Sequence, residues 1–193
     1  MENFELLAKP WWINLLIFIP IVAYYIWKKK GGITVSKKTL LISAFFGIAF
    51  GVVEAAVVIY LRASVGLLPG YGGTLAQVAK LSSDIYQQAM ILSTLPKSFV
   101  SLEFMREVAT MVMLVSVAFL AERSTRGRFA VFLWTFAVWD ISYYAWLWFT
   151  VKWPVSLLSP DVLFLIPVPW FSQVWFALLV SVLTMGAVWV NRK

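Results

Sequence analysis

Five apolar runs, each near the length of a bilayer crossing, are separated along this chain by short polar or basic stretches. They extend from Trp11 to Trp27, Leu40 to Leu61, Leu102 to Ala121 and Phe129 to Phe149, with a fifth within Val162 to Val190. A helix rises about 1.5 Å per residue, so roughly 20 residues cross a hydrocarbon layer of ~30 Å. The pattern predicts an all-α membrane protein: a five-transmembrane-helix bundle forming a single domain over residues 1–193. A closed barrel would show short alternating segments instead. Between the second and third spans, Leu75, Val78, Ala79, Ile85, Tyr86, Ala89 and Leu92 recur at helical spacing against Gln77, Lys80, Asp84, Gln87 and Gln88. That predicts an amphipathic helix at the outer interface, after a turn-rich stretch holding Gly66, Pro69, Gly70, Gly72 and Gly73.

Composition agrees and narrows the class. The chain has 193 residues, 62% hydrophobic, 17% aromatic and 13% charged, with a mean hydropathy of +0.85. Soluble proteins carry about a quarter charged residues, so a disordered chain, a coiled coil and a secreted mini-protein are excluded. There is no Cys and no His. That removes disulfides, thiolate nucleophiles, Cys/His zinc sites, haem histidines and any His-based triad.

Basic residues predict the orientation. Lys28, Lys29, Lys30, Lys37 and Lys38 lie between spans one and two, Arg123, Arg126 and Arg128 between spans three and four, and Arg192 and Lys193 after span five. By the positive-inside rule these loops are cytoplasmic, with the N-terminus outside and the C-terminus inside. The net charge of +7 is then mostly a topology signal, and no nucleic-acid partner is expected. Met1 to Pro10 lacks the basic start of a signal peptide, so span one is expected to be a retained anchor.

Acidic residues inside the spans are the candidate chemistry. Glu54, Glu107 and Asp140 each fall within an apolar run, and a charge at mid-bilayer costs at least about 2.5 kcal/mol. Counted from Arg62, Lys97 and Lys152, they lie roughly 12, 15 and 18 Å below the outer flanking charges, which puts them in one layer. Glu103, Arg106, Glu107 and Thr110 form one stripe of span three. Gly47 and Gly51 form a small-xxx-small pair on span two that draws a neighbouring helix toward Glu54. Asp140, Tyr143 and Tyr144 share a side of span four. The expectation is a pocket opening outward between spans two, three and four. Arg106 paired with Glu54 or Glu107 as interior glue is the competing reading. Several carboxyls near one arginine leave at least one without a cation, and such a group is a candidate acid or proton carrier, with the two tyrosines as relays.

Span four also carries Trp134, Trp139, Trp146 and Trp148. Trp139 is the candidate wall residue, and interior tryptophans suit a flat or polyunsaturated lipid such as a quinone, carotenoid or isoprenoid; ordinary helix packing explains them as well. Trp11, Trp12, Trp27, Trp153, Trp170 and Trp189 lie near span ends and read as interfacial belts. Ser159, Pro160 and Asp161 read as the cap, first-turn proline and first-turn acid of a helix. Pro167 and Pro169 then break it, leaving Val162 to Ile166 as a half-helix that frees backbone carbonyls near the pocket, or as the lower part of a kinked helix. Gly70-Tyr-Gly-Gly lacks the strand and helix of a dinucleotide loop, and the pairing of Lys80 with Ser82 or Ser83, or of Lys97 with Ser98, reflects interfacial position. No cofactor is predicted and no metal, because no spacing supports a Mg²⁺ site. A bound lipid or isoprenoid is the expected guest.

Several blocks carry a resemblance. Phe50-Gly-Val-Val-Glu54, Arg106-Glu-Val-Ala-Thr110, Val138-Trp-Asp-Ile-Ser-Tyr-Tyr144, Trp153-Pro-Val-Ser-Leu157 and Asp161-Val-Leu-Phe-Leu-Ile-Pro-Val-Pro-Trp170 resemble an uncharacterised family of small bacterial multi-span integral membrane proteins. The likeness covers spans two to five. It implies a multi-pass protein of the bacterial cytoplasmic membrane and no particular chemistry. The family continues after Pro-Trp with Gly-Pro, where this chain has Phe171-Ser172-Gln173. Two functions of different classes are therefore expected: a metal-independent protein binding or acting on a hydrophobic molecule, with Glu54, Glu107 and Asp140 as acid or base and Arg106 as electrostatic partner, or an accessory subunit of a larger membrane complex. Membrane lipids and a membrane-protein partner or homo-oligomer are the expected company. Proton-coupled transport is disfavoured by the lack of internal repeats.

Overall fold

Pro20 shapes the start of the first apolar run. Proline lacks an amide hydrogen and is tolerated only in the first turn of an α-helix, where that hydrogen has no intrahelical partner. In the computed structural model, which describes residues 7–64 and 97–193, a 3₁₀ helix over Trp11–Ile17 leads into α1, Phe18–Lys29, so Pro20 falls in the first α-turn. The remaining elements are α2, Lys37–Ser64; α3, Lys97–Ala121; α4, Thr125–Val151; β1, Pro160–Phe164; β2, Trp170–Gln173; and α5, Val174–Asn191. The amphipathic helix expected over 75–92, the Gly-rich stretch before it and the Lys80 and Lys97 pairings lie outside the described residues or side chains.

The chain is mostly helical, and among the described residues four segments are long and apolar enough to cross a membrane: Trp11–Lys29, Lys37–Tyr60, Val100–Ala121 and Val174–Asn191. Helix α4 is not among those four, although it spans 27 residues. It is the inner helix, packed by α2, α3 and α5, and it carries Thr135, Asp140, Ser142 and Tyr144 where a lipid-facing helix would carry aliphatics. Its neighbours turn apolar side chains outward instead: Leu41, Phe45 and Val53 on α2, Leu102, Met105, Val112 and Leu120 on α3, and Val182 and Val190 on α5 are exposed. A surface this apolar suits hydrocarbon better than water.

Helices α2 and α4 approach closely because Gly47 and Gly51 let them. A Cβ at Gly47 would lie 3.0 Å from a Val138 methyl, and one at Gly51 only 2.7 Å from Ser142 Cβ. Two side-chain donors reach across the same seam to backbone carbonyls: Trp134 Nε1 to Leu40 at 2.9 Å and Ser142 Oγ to Ile48 at 3.1 Å. The small-residue pair thus sets α4 directly against α2.

The basic loops gather at one end of the bundle. After α1, Gly31 and Gly32 take positive φ, and a Cβ at Gly32 would meet the Asn191 carbonyl at 2.7 Å. The reversal pairs Ile33 with the C-terminus: Ile33 N donates to Asn191 O at 2.9 Å and Lys193 N to Ile33 O at 3.0 Å. Arg126, opening α4, donates to the Lys30 carbonyl at 3.2 Å.

The fifth apolar run departs from expectation. Residues 160–164 and 170–173 form an antiparallel hairpin, and α5 starts only at Val174. Neither a half-helix over Val162 to Ile166 nor a kinked helix is present, so the chain is not purely α. The reason lies in the prolines. Pro160 opens a strand, where its missing donor costs nothing. Pro167 and Pro169 deny two donors to any helix and keep their predecessors extended. Pairing is extended by the N-terminal segment, since Lys9 and Phe171 exchange both backbone hydrogen bonds at 2.8 Å. Ser159 does not cap a helix; its hydroxyl accepts from Ser156 N at 3.1 Å. Instead the carbonyls of Ser159 and Leu157 accept the first amides of α5, Val174 N at 3.0 Å and Trp175 N at 2.8 Å, satisfying donors that every helix start exposes.

Candidate functional site

Three helices and the hairpin bring carboxylates to one cavity. A cavity of about 120 Å³ is lined by Glu54 and Val58 of α2, Arg106, Glu107 and Thr110 of α3, Phe136, Trp139, Asp140, Tyr143 and Tyr144 of α4, Asp161 to Phe164 of β1, Trp170 of β2, and Phe176, Ala177, Val180 and Ser181 of α5, with Leu16 closing one side. One water needs roughly 10–15 Å³ on this measure, so the space has room for a group several times that size.

Of the residues singled out from the sequence, Glu54, Arg106, Glu107, Thr110, Trp139, Asp140, Tyr143, Tyr144 and Asp161 all line this cavity. Glu103 stands behind it, buried, and accepts from Arg106 Nε at 2.8 Å. Arg106 also pairs through Nη1 with Glu54 across the α2–α3 gap. The guanidinium is thus shared by two carboxylates, one on its own helix and one on the facing helix. The Thr110 hydroxyl donates back to the Arg106 carbonyl at 3.0 Å, a bond that any helical threonine can make.

The other carboxylates are held by neutral donors. Glu107 accepts from the backbone N–H of Leu165 at 3.1 and 2.9 Å through its two oxygens. Asp140 accepts from Ser181 Oγ of α5 at 2.8 Å. Asp161, buried at the start of the hairpin, accepts from the Tyr144 hydroxyl at 2.9 Å. The half-helix expected here would have offered carbonyls. The hairpin supplies an amide hydrogen instead, and a carboxylate is its natural acceptor.

An aromatic wall completes the cavity. Phe164 lies 6.4 Å from Phe136, 6.2 Å from Trp139 and 5.4 Å from Trp170, measured between ring centres. Trp139 is 6% exposed, and its indole N–H has no acceptor among the described residues. Several tryptophans sit differently from the sequence reading. Trp27 and Trp153, expected in interfacial belts, are buried core residues, and Trp170 lines the cavity; Trp11 and Trp189 are exposed. On α4, Trp134 packs at the basic end and Trp148 faces outward, so only Trp139 of the four reaches the site.

Sequence reasoning missed Ser181, the Leu165 amide and the Phe164 and Trp170 rings. Ser181 had a legible signal, since it and Thr184 are the two hydroxyl residues in an otherwise apolar run from Val174 to Val190. Among the described residues no three acidic side chains converge as a metal site; the carboxylates ring the wall rather than meeting at a point. Comparison with protein-family models, with curated proteins and with solved structures finds no match to this chain.

Proposed function

We propose that this is a multi-pass membrane protein that takes the polar end of a lipid, quinone or isoprenoid-like molecule into the cavity between α2, α3, α4, α5 and the hairpin. One observation carries the reading: charged and hydrogen-bonding groups from four helices and a hairpin surround a space bounded on one side by packed aromatic rings. Pockets for small molecules combine an apolar lining with a few convergent polar groups in this way. The membrane context supports an amphiphile over a soluble metabolite, because the outer faces of the helices are apolar. In this reading five spans cross the bacterial cytoplasmic membrane, the ten basic residues of the loops lie inside, and the N-terminus lies outside; membership in the small bacterial family resembled by the sequence belongs to the same proposal. Glu107, Asp140 and Tyr144 are the groups placed to exchange protons with a bound head group.

Mass spectrometry of lipids extracted from protein purified in mild detergent tests this. A co-purifying amphiphile retained by the wild type and lost from Glu54→Gln is the expected result. Protein that carries none, with a substitution that changes only stability, overturns the reading. The competing role as a subunit of a larger complex draws on the exposed apolar face of α3; a stable high-mass band on a native gel of membranes, rather than a lone small oligomer, would favour it.

A further inference from the structure

Among the described residues the cavity is unbalanced in charge. Its lining holds four carboxylates, Glu54, Glu107, Asp140 and Asp161, and among the described residues a single cation, Arg106. That cation is already committed to Glu54 and to Glu103 behind it. Glu107 and Asp140 are met by an amide and a hydroxyl, donors without charge. An anionic head group, such as the diphosphate of an isoprenoid, would find no uncommitted cation among the described residues and would face carboxylates of its own sign. A cation would find charge-assisted acceptors in a weakly screened space and aromatic faces beside them. A second observation concerns the opposite polarity. The buried indole N–H of Trp139 is a donor without an acceptor among the described residues, at a cavity wall where buried polar groups ordinarily have a partner. A ligand that satisfies it carries an oxygen near its cationic centre.

Resting on the reading above, we infer that the site selects an amphiphile with an amino-alcohol head: a primary ammonium for the carboxylates of Glu107 and Asp140, and a neighbouring oxygen for Trp139. The head fills the cavity, and the alkyl tail leaves it toward the bilayer.

Native mass spectrometry of the full chain in maltoside micelles, counting one-to-one adducts, separates this from the underlying lipid reading. The probes are 2-aminododecan-1-ol, its neutral counterpart dodecane-1,2-diol, dodecyl phosphate, and the short 2-aminobutan-1-ol. The long amino alcohol is expected to bind about tenfold or more tightly than the diol, as a charged hydrogen bond exceeds a neutral one, with dodecyl phosphate weaker still. Asp140→Asn and Glu107→Gln, each with its thermal transition retained, are expected to reduce that preference about fivefold or more. Equal binding of the long amino alcohol and diol, or tighter binding of the phosphate, overturns the cationic head while leaving a lipid site. Equal binding of the short and long amino alcohols overturns the lipid reading and leaves the charge preference. Adducts with none of the probes, on protein that unfolds cooperatively, overturn both.

Discussion

Glu107 holds the backbone of Leu165 through both of its carboxylate oxygens, at 3.1 and 2.9 Å. A side chain in the middle of a membrane-length helix thereby anchors the tip of a hairpin 58 residues later. The bond explains how a proline-rich, strand-forming segment is kept against a helical bundle: its free amide is satisfied by a group that itself needs a donor. Tyr144 does the same for the hairpin's first strand through Asp161. The roof of the cavity is therefore tied to α3 and α4 by polar bonds and to α5 by chain continuity.

Removing the anchor should loosen the roof. Glu107→Ala leaves the Leu165 amide without its acceptor and is expected to cost about 1–3 kcal/mol. Glu107→Gln keeps an oxygen there and should cost less. Thermal unfolding in detergent, with limited proteolysis across 160–173, reads both effects. Equal stability for wild type and Glu107→Ala would show that the contact contributes nothing.

The α2–α4 seam makes a sharper steric prediction. Gly51→Ala places a methyl 2.7 Å from Ser142 Cβ and is expected to destabilise by about 1–3 kcal/mol, the usual range for overpacking. Gly186→Ala meets nothing within 4 Å and should be neutral or slightly stabilising, since alanine is the better helix former by up to about 1 kcal/mol. The reverse order of the two melting temperatures would contradict the packing described.

Arg106 is predicted to matter more through its charge than through its length. Arg106→Met strands Glu54 and Glu103 together. The side chains of Arg106 and Glu54 are 22% and 12% exposed, so the loss should be about 2–3 kcal/mol, below the 3–5 of a fully buried pair. Adding Glu54→Gln to Arg106→Met should restore part of it, because one uncompensated carboxylate is gone. A double-mutant cycle on chemical or thermal unfolding measures the coupling, and strict additivity would dissolve the pair.

The absence of cysteine from the chain makes topology directly testable. Single cysteines at Leu157, beside the hairpin, and at Thr34, among the basic loops, should react oppositely with a membrane-impermeant maleimide applied to intact cells. Leu157→Cys is expected to label and Thr34→Cys to label only after the membrane is broken. The opposite pattern inverts the orientation; labelling of both from outside removes the bundle from the membrane.

The second, third and fourth runs were legible in the sequence because hydropathy and helical spacing are properties of neighbouring residues. Gly47 and Gly51 announced a close approach, and helix α4 delivered it. The stripe of Glu103, Arg106, Glu107 and Thr110 was equally readable, since residues three and four apart must share a face. The hairpin was not. Ser159-Pro160-Asp161 satisfies the local rules for a helix start, but strand pairing of 160–164 with 170–173, extended by Lys9, depends on partners that local rules do not see.

Class and the positions of the long helices were thus determined by the chain itself, through the high cost of placing charge or unpaired backbone in hydrocarbon. Which donor each carboxylate receives was decided only by tertiary structure. Ser181 faces Asp140, Leu165 faces Glu107 and Tyr144 faces Asp161 because helix packing and one turn of hairpin bring together groups 17 to 58 positions apart, and a hydrogen bond depends on distance and direction in space, not on order along the chain.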